Sequence, residues 1–178
     1  MSGSCLSRQT IIKLMDETPP IIDEFIDFNS QIQPNGFDLT LHDVSNFKSH
    51  SVIGTNNNSR VLAETSQLKF EDSGKLFLPQ GSYRITLNEK INLPSGIMSL
   101  CQTRSSLLRS GIAINSGIGD AGYSGKYQAL MTIYNPYGFS VEKNSRILQI
   151  VFFHLDNETY HKFDKSIFKK LNNLKFSL

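Results

Sequence analysis

The chain is cut into short apolar runs by turn-forming residues, and that punctuation limits the folds open to it. Pro34-Asn35-Gly36, Pro79-Gln80-Gly81, Asn92-Leu93-Pro94-Ser95-Gly96 and Asn135-Pro136-Tyr137-Gly138 each gather residues that set turn dihedrals. Between them lie strand-like segments. Phe37, Leu39 and Leu41 alternate with Asp38, Thr40 and His42, a period of two that places Asp38 away from the apolar side, either as a strand acid facing solvent or as a functional group. Leu76–Leu78 and Tyr83–Leu87 read as short strands flanking the turn at 79–81, followed by Ile97–Leu100, Ala129–Tyr134 and Phe139–Val141. Arg146–Leu155 reads as a long final strand with Ile147, Ile150, Val151, Phe152 and Phe153 buried, and with Gln149 as either a satisfied core amide or a ligand contact. Strands at a spacing of roughly 8–12 residues indicate an all-β barrel or sandwich. A length of 178 residues makes one domain the natural count, with a core over about 21–156 and a tail over 157–178.

The two ends differ from this pattern. Ser7 can cap a short helix over residues 7–16, with Leu6 and Ile11 as a hydrophobic staple and Thr18-Pro19-Pro20 as its stop. Ile21–Phe28 carries Asp23, Glu24 and Asp27, which makes it an edge strand or loop. Residues 45–75 are polar, with a loop tip at 55–59 and one or two strands within 61–70. In the tail, Tyr160, Phe163, Ile167, Leu171 and Leu174 form one helical stripe, with Lys162, Lys165, Lys169 and Lys170 largely off it. That stripe suits a docking helix; the lysines would also suit a basic flap over a phosphate.

Composition excludes several partners. The net charge of +2 offers no field for a nucleic acid, so cationic residues must act locally. No apolar run approaches the ~18 residues of a membrane span, and the N-terminus lacks the layout of a signal peptide. Cys5 and Cys101 are too few for a disulfide framework or a zinc site. A reducing location is expected, the cytoplasm, or also the nucleus in a eukaryote.

The chemistry concentrates in residues 101–135. A polar and cationic run, Arg104-Ser105-Ser106 with Arg109, precedes a glycine-rich turn, Gly117-Ile118-Gly119-Asp120-Ala121-Gly122-Tyr123-Ser124-Gly125, and then an apolar strand. Anion donors, one carboxylate and a planar ring within so short a span suit a phosphorylated, ring-bearing ligand. Taken alone, Asp120 reads more simply as a turn acid.

Four segments, in order, then resemble the motifs of one superfamily. Thr103-Arg-Ser-Ser-Leu-Leu-Arg109 is similar to the Arg-Ser-Ser-Leu-Ala-Arg motif of the dUTPase and dCTP deaminase superfamily, and Ile118–Gly125 to its Asp-x-Gly-Tyr-x-Gly motif. Gln33-Pro-Asn-Gly-Phe-Asp-Leu-Thr-Leu41 resembles its Gln-Pro-x-x-x-Asp-Leu-x-Leu start, and Asn144–Phe152 its Gly-x-Arg-Ile-x-Gln-Leu strand. The Gln-Pro start and early helix look most like the deaminase branch and archaeal-type dUTPases. The resemblance implies a distorted antiparallel jelly-roll-type β-barrel and a homotrimer with active sites shared between subunits.

The resemblance also assigns roles. Deaminases of the superfamily carry a proton-shuttling glutamate ten residues after the motif aspartate; counting from Asp120 reaches Leu130, with Gln128 and Thr132 on the same strand face. Leucine cannot shuttle a proton, so the implied activity is dUTP hydrolysis to dUMP and pyrophosphate. Asp120 would activate the attacking water, with Mg2+ held mainly by the substrate phosphates. Arg104, Ser105, Ser106, Arg109 and Gln149 would hold phosphates, and Tyr123 would pack under deoxyribose. Asn115, Ile118, Gly119 and Gln128 would meet uracil, with Asp38 and Lys162 as further candidates. A dCTP deaminase, a bifunctional deaminase-diphosphatase and a catalytically weak nucleotide-binding homologue are the alternatives. Two departures stand out: the tail from Tyr160 contains no glycine, unlike the glycine-rich arm of trimeric dUTPases, and Leu108 occupies a position that is small in the motif.

Overall fold

A computed structural model of the chain describes residues 4–159. The N-terminal helix α1 (Arg8–Met15) forms as the sequence suggests: the Ser7 side chain accepts from the Thr10 N–H, and Leu6 and Ile11 are buried. The next segment holds a two-residue strand β1 (Ile22–Asp23) and a short helix α2 (Phe28–Gln31), capped by the Asp27 carboxylate on the Asn29 N–H. Ile21–Phe28 is therefore mostly loop, and its acids serve a turn and a cap, including Asp23 on the Glu24 N–H.

The barrel strands follow: β2 (Ile32–Gln33), β3 (Gly36–Phe47), β4 (Thr65–Gln67), β5 (Lys75–Leu78), β6 (Gly81–Asn92) and β7 (Ile97–Thr103). A five-residue helix α3 (Ser105–Arg109) leads into β8 (Ile112–Ser116), β9 (Ser124–Ile133), β10 (Phe139–Glu142) and β11 (Arg146–His154). All pairs are antiparallel, in the order β7-β11-β3-β6-β9-β8, with β1 added to β6 and both β2 and β4 to β3. The ends of this path meet where the Thr103 hydroxyl bonds the Ile114 backbone (2.9 and 2.8 Å) and Ser99 pairs with Gly119. The result is a nearly closed β-barrel around one apolar cluster that includes Phe37, Leu39, Ile85, Leu87, Met131 and Phe152. Strands β5 and β10 form a separate ribbon, so the turn at 79–81 joins two sheets rather than a hairpin.

Strand β3 serves two partners. Residues 37–40 pair with β11, and residues 41–46 pair with β6 after a register shift. At the changeover the Thr40 N–H is taken by the Glu89 carboxylate at 2.9 Å, and the Thr40 hydroxyl donates to the same group at 2.6 Å. Gln31 completes the knot, donating to Glu89 (2.7 Å) and to the Asp38 carbonyl (2.8 Å). A register shift in β6 between Thr86 and Lys90 accompanies this inward carboxylate. Glu89 is fully buried with no cation beside it among the described residues, and burial raises its carboxyl above the ordinary value.

The structure decides one open reading of exposure and corrects another. Asp38 does not face solvent: it is 3% exposed, because the layer outside this part of the sheet is filled by two arginine side chains. Val151 and Phe153 are half-buried rather than core, since they alternate outward from Ile150 and Phe152. The proposed tail helix, with Lys162, lies outside the described residues.

Candidate active site

One set of candidate residues gathers where β7 ends. Asp38 Oδ2 lies 3.1 Å from Arg104 Nε and 3.4 Å from Arg146 Nη1, so one buried carboxylate holds two guanidinium groups. Arg104 Nη1 also donates to the Arg146 carbonyl at 3.0 Å. Burial raises the Asp38 carboxyl above its ordinary value, while the two arginines pull it back down. Gln149 sits between Asp38 and Gln102 in the cross-strand register, and its amide makes no hydrogen bond among the described residues. It rests over Gly36, where a Cβ would stand 2.4 Å from the Ile150 carbonyl and 3.2 Å from Gln149 Nε2, so the turn glycine is needed for close approach. Helix α3 is anchored by buried Leu107 and turns Ser105, Ser106 and Arg109 outward. Leu108, the departure from the motif, is 56% exposed.

The second set is carried by the β8–β9 hairpin. Gly119 exchanges both backbone hydrogen bonds with Ser99, each at 2.9 Å. A Cβ there would fall 1.9 Å from the Tyr127 hydroxyl and 2.1 Å from Ser99 Oγ, so only glycine lets the loop seat against the barrel. Both polar backbone groups of Gly119 are thus already bonded within the chain. The loop then turns through Asp120, whose carbonyl accepts from the Tyr123 N–H and whose side chain is exposed. Tyr123 packs edge-on to Tyr127 (5.0 Å between centroids) and donates its hydroxyl to the Lys126 carbonyl at 2.8 Å. Burial raises both phenols, which keeps them protonated, and pushes the Cys101 thiol up to about 12, so it offers no thiolate. Ile118 is exposed.

On the outer face of the hairpin the register aligns Asn115 with Leu130, and Leu130 with Arg84 of β6. Asn115, Gln128 and Leu130 join Phe47 and Arg84 around an open pocket of about 300 Å³. Gln128, Leu130 and Thr132 share that outer face, as the alternation requires. No hydrogen bond or ion pair among the described residues joins the side chains of the Asp38–Arg104 set to those of the hairpin set. No group of three or more His, Cys, Asp or Glu side chains able to hold a metal ion occurs among the described residues. What donors there are, one exposed carboxylate and nearby hydroxyls, fit Mg2+ held through phosphates and water rather than in a protein cage.

Sequence reasoning did not single out Arg146, Arg84, Phe47 or Glu89. Arg146 was signalled by its place in the fourth motif. The others sit in ordinary strand positions and acquire meaning only through cross-strand neighbours.

A nearly closed antiparallel barrel with an arginine-lined strand end and a glycine-pinned hairpin defines a dUTPase-like β-barrel protein. Residues 5–155 match the dCTP deaminase-like family, and the chain belongs to that family. It is 35% identical over 153 residues to the probable deoxyuridine 5'-triphosphate nucleotidohydrolase of Methanosarcina mazei, covering 86% of this chain and 90% of that protein. The protein of the same name from Archaeoglobus fulgidus is 36% identical over 154 residues, with the same coverage of 86% and 90%. Among solved structures, the 2'-deoxycytidine 5'-triphosphate deaminase of Agrobacterium tumefaciens is similar in fold, with a TM-score of 0.67 at 19% identity. That match covers 98% of this chain and 54% of the other, so the chain spans about half the length of that deaminase.

Proposed function

We propose that the protein is a dUTP diphosphatase, hydrolysing dUTP to dUMP and pyrophosphate. The observation that carries this reading is Leu130: the outward position beside the hairpin pocket, where a deaminase needs a proton-carrying acid, holds an aliphatic side chain. The names of the archaeal relatives support the same substrate.

In this reading Asp120 is the general base. Its exposed carboxylate orients a water and takes its proton as the water oxygen bonds to the α-phosphorus. The bond from that phosphorus to the bridging oxygen breaks, and pyrophosphate leaves with the electron pair. Base assistance of this kind contributes roughly 10²–10⁴ in rate. Arg104, Arg109, Ser105, Ser106 and Gln149 hold the triphosphate; guanidinium forks match phosphate oxygens and donate without accepting. Asp38 acts as a positioning residue, fixing Arg104 before substrate arrives. Bound with the triphosphate, Mg2+ would supply charge neutralisation at the leaving group. Tyr123 packs against deoxyribose and leaves no room for a 2'-hydroxyl. Asn115, Gln128 and the backbone about Ile118 meet uracil, whereas Gly119, expected to join them, has its N–H and carbonyl taken by Ser99.

The resemblance implies a homotrimer with active sites shared between subunits, and the lack of any side-chain hydrogen bond or ion pair between the phosphate and hairpin sets among the described residues is compatible with a site completed by a second copy. Cys5 and Cys101 are free thiols, which suits a reducing, cytoplasmic setting. The test is pyrophosphate and ammonia release from dUTP, dCTP and UTP with Mg2+. Pyrophosphate from dUTP alone is expected. Ammonia from dCTP would overturn the assignment in favour of a deaminase, and dUTP binding without turnover would make the protein a nucleotide-binding homologue.

A further inference from the structure

The outer row of the barrel across β8, β9, β6 and β3 runs Asn115, Leu130, Arg84, Ser45, each directly opposite the next. Directly opposed residues in antiparallel strands point to one face. Arg84 therefore stands next to Leu130 in the pocket that also holds Asn115, Gln128 and the half-exposed ring of Phe47. Its guanidinium is only lightly engaged. Nη2 donates to Ser45 Oγ at 3.3 Å, and the buried Nε has no hydrogen-bond partner. No carboxylate pairs with Arg84 among the described residues. A strand arginine that lines the pocket beside apolar Leu130 and Phe47, bonded only at 3.3 Å to Ser45 and paired with no carboxylate among the described residues, leaves guanidinium donors for an acceptor brought by a ligand.

We infer that Arg84 is a specificity-determining residue that reads the carbonyl edge of a pyrimidine and rejects the amino-bearing base. This rests on the reading of the hairpin pocket as the base site. Arginine can only donate. Uracil offers a carbonyl oxygen at C4, which accepts from the guanidinium. Cytosine offers an amino group there, which sets donor against donor and leaves both unpaired in a partly desolvated site. Leu130 sharpens the effect, since it supplies no acceptor that could satisfy the amino group or Arg84. The pocket thus lacks the acid of a deaminase and carries, one strand over, a cation that disfavours a deaminase's substrate. Phe47 provides a ring face on which a base can stack.

The experiment is kcat/KM for pyrophosphate release from dUTP and from dCTP by the full chain, for Arg84→Met, Arg84→Lys, Asn115→Ala and Gln128→Ala. Arg84→Met keeps the apolar stem and removes the donors. It is expected to lower kcat/KM for dUTP and narrow the dUTP/dCTP preference about ten- to hundredfold, in line with the cost of an unmet polar group. Arg84→Lys, which keeps a cationic donor, should retain most of the preference. An unchanged ratio in Arg84→Met, including an equal fall for both nucleotides as a phosphate contact would give, overturns the inference. If Asn115→Ala and Gln128→Ala lower dUTP turnover while Arg84→Met keeps the preference, the base site stands and the role of Arg84 fails. If none of the variants alters either substrate, the base-site reading itself fails.

Discussion

The two halves of the candidate site are built in opposite ways. At the end of β7, the charged groups are paired before any ligand arrives: Asp38 is buried and holds Arg104 and Arg146. On the hairpin, the backbone is locked by the Ser99–Gly119 pairing, yet Asp120 is exposed, and Asp120, Asn115 and Gln128 make no side-chain hydrogen bond among the described residues. In the proposed reading the triphosphate is held by these paired cationic forks, and pre-pairing there lowers the entropy lost on binding. A base and an attacking water need open groups that meet the substrate itself. On that reading, electrostatic pre-organisation lies inside the chain on one side, while the proposed chemistry and recognition lie on an open surface on the other.

That contrast can be broken most sharply at Asp120. Asp120→Asn is expected to cut kcat by about 10²–10⁴, with dUTP affinity and Tm little changed, because the exposed side chain makes no hydrogen bond or ion pair among the described residues; single-turnover kinetics with dUTP titration checks this. Full activity in that variant would remove the proposed mechanism. Asp38→Ala should behave in the opposite manner, lowering Tm and raising KM together. Loss of a buried pair costs about 3–5 kcal/mol, but the Arg104 and Arg146 side chains are 31% and 36% exposed, so water reduces this to roughly 1–3 kcal/mol. A normal KM with a lowered Tm would leave Asp38 as a fold residue only.

Tyr123→Ala opens the space beneath the sugar and should relax the preference for dUTP over UTP about tenfold, at the low end of what shape discrimination supplies. Competing the two nucleotides in one assay reads it directly, and an unaltered preference would remove the role given to the ring. The smallest effect concerns Glu89. Its folded carboxyl is raised above the ordinary 4.5 by burial, so its contribution to stability is complete below that pH and is lost as pH rises through the folded value. The Tm of the wild type minus that of Glu89→Gln should therefore fall from pH 4.5 upward. A difference that stays level across that range would show that the buried carboxyl does not titrate as described.

Much of the barrel was legible because it depends on local patterns. The Ser7 cap, the period-two run from Phe37 to Leu41, the turns and the alternating outer face of β9 all follow from neighbours a few residues away. The motif order located both candidate sets. What stayed hidden was long-range. Alternation put Asp38 on the polar side of its strand but could not show that Arg104 and Arg146 cover that side. Nothing near Thr40 in sequence announces that Glu89, 49 positions away, takes its N–H where β3 changes partner.

The sequence by itself determined the strand and turn pattern, the glycine-rich turn at 117–125, the absence of an acid at position 130, and the superfamily resemblance. These rest on backbone dihedrals, alternation and residue identity, which are local properties. Only the tertiary structure decided that Asp38 is buried and doubly paired, that Gly119 is pinned to Ser99, and that Arg84 stands beside Leu130 at an open pocket. Each of these depends on cross-strand register, and register is set by the packing of the whole barrel rather than by any one segment.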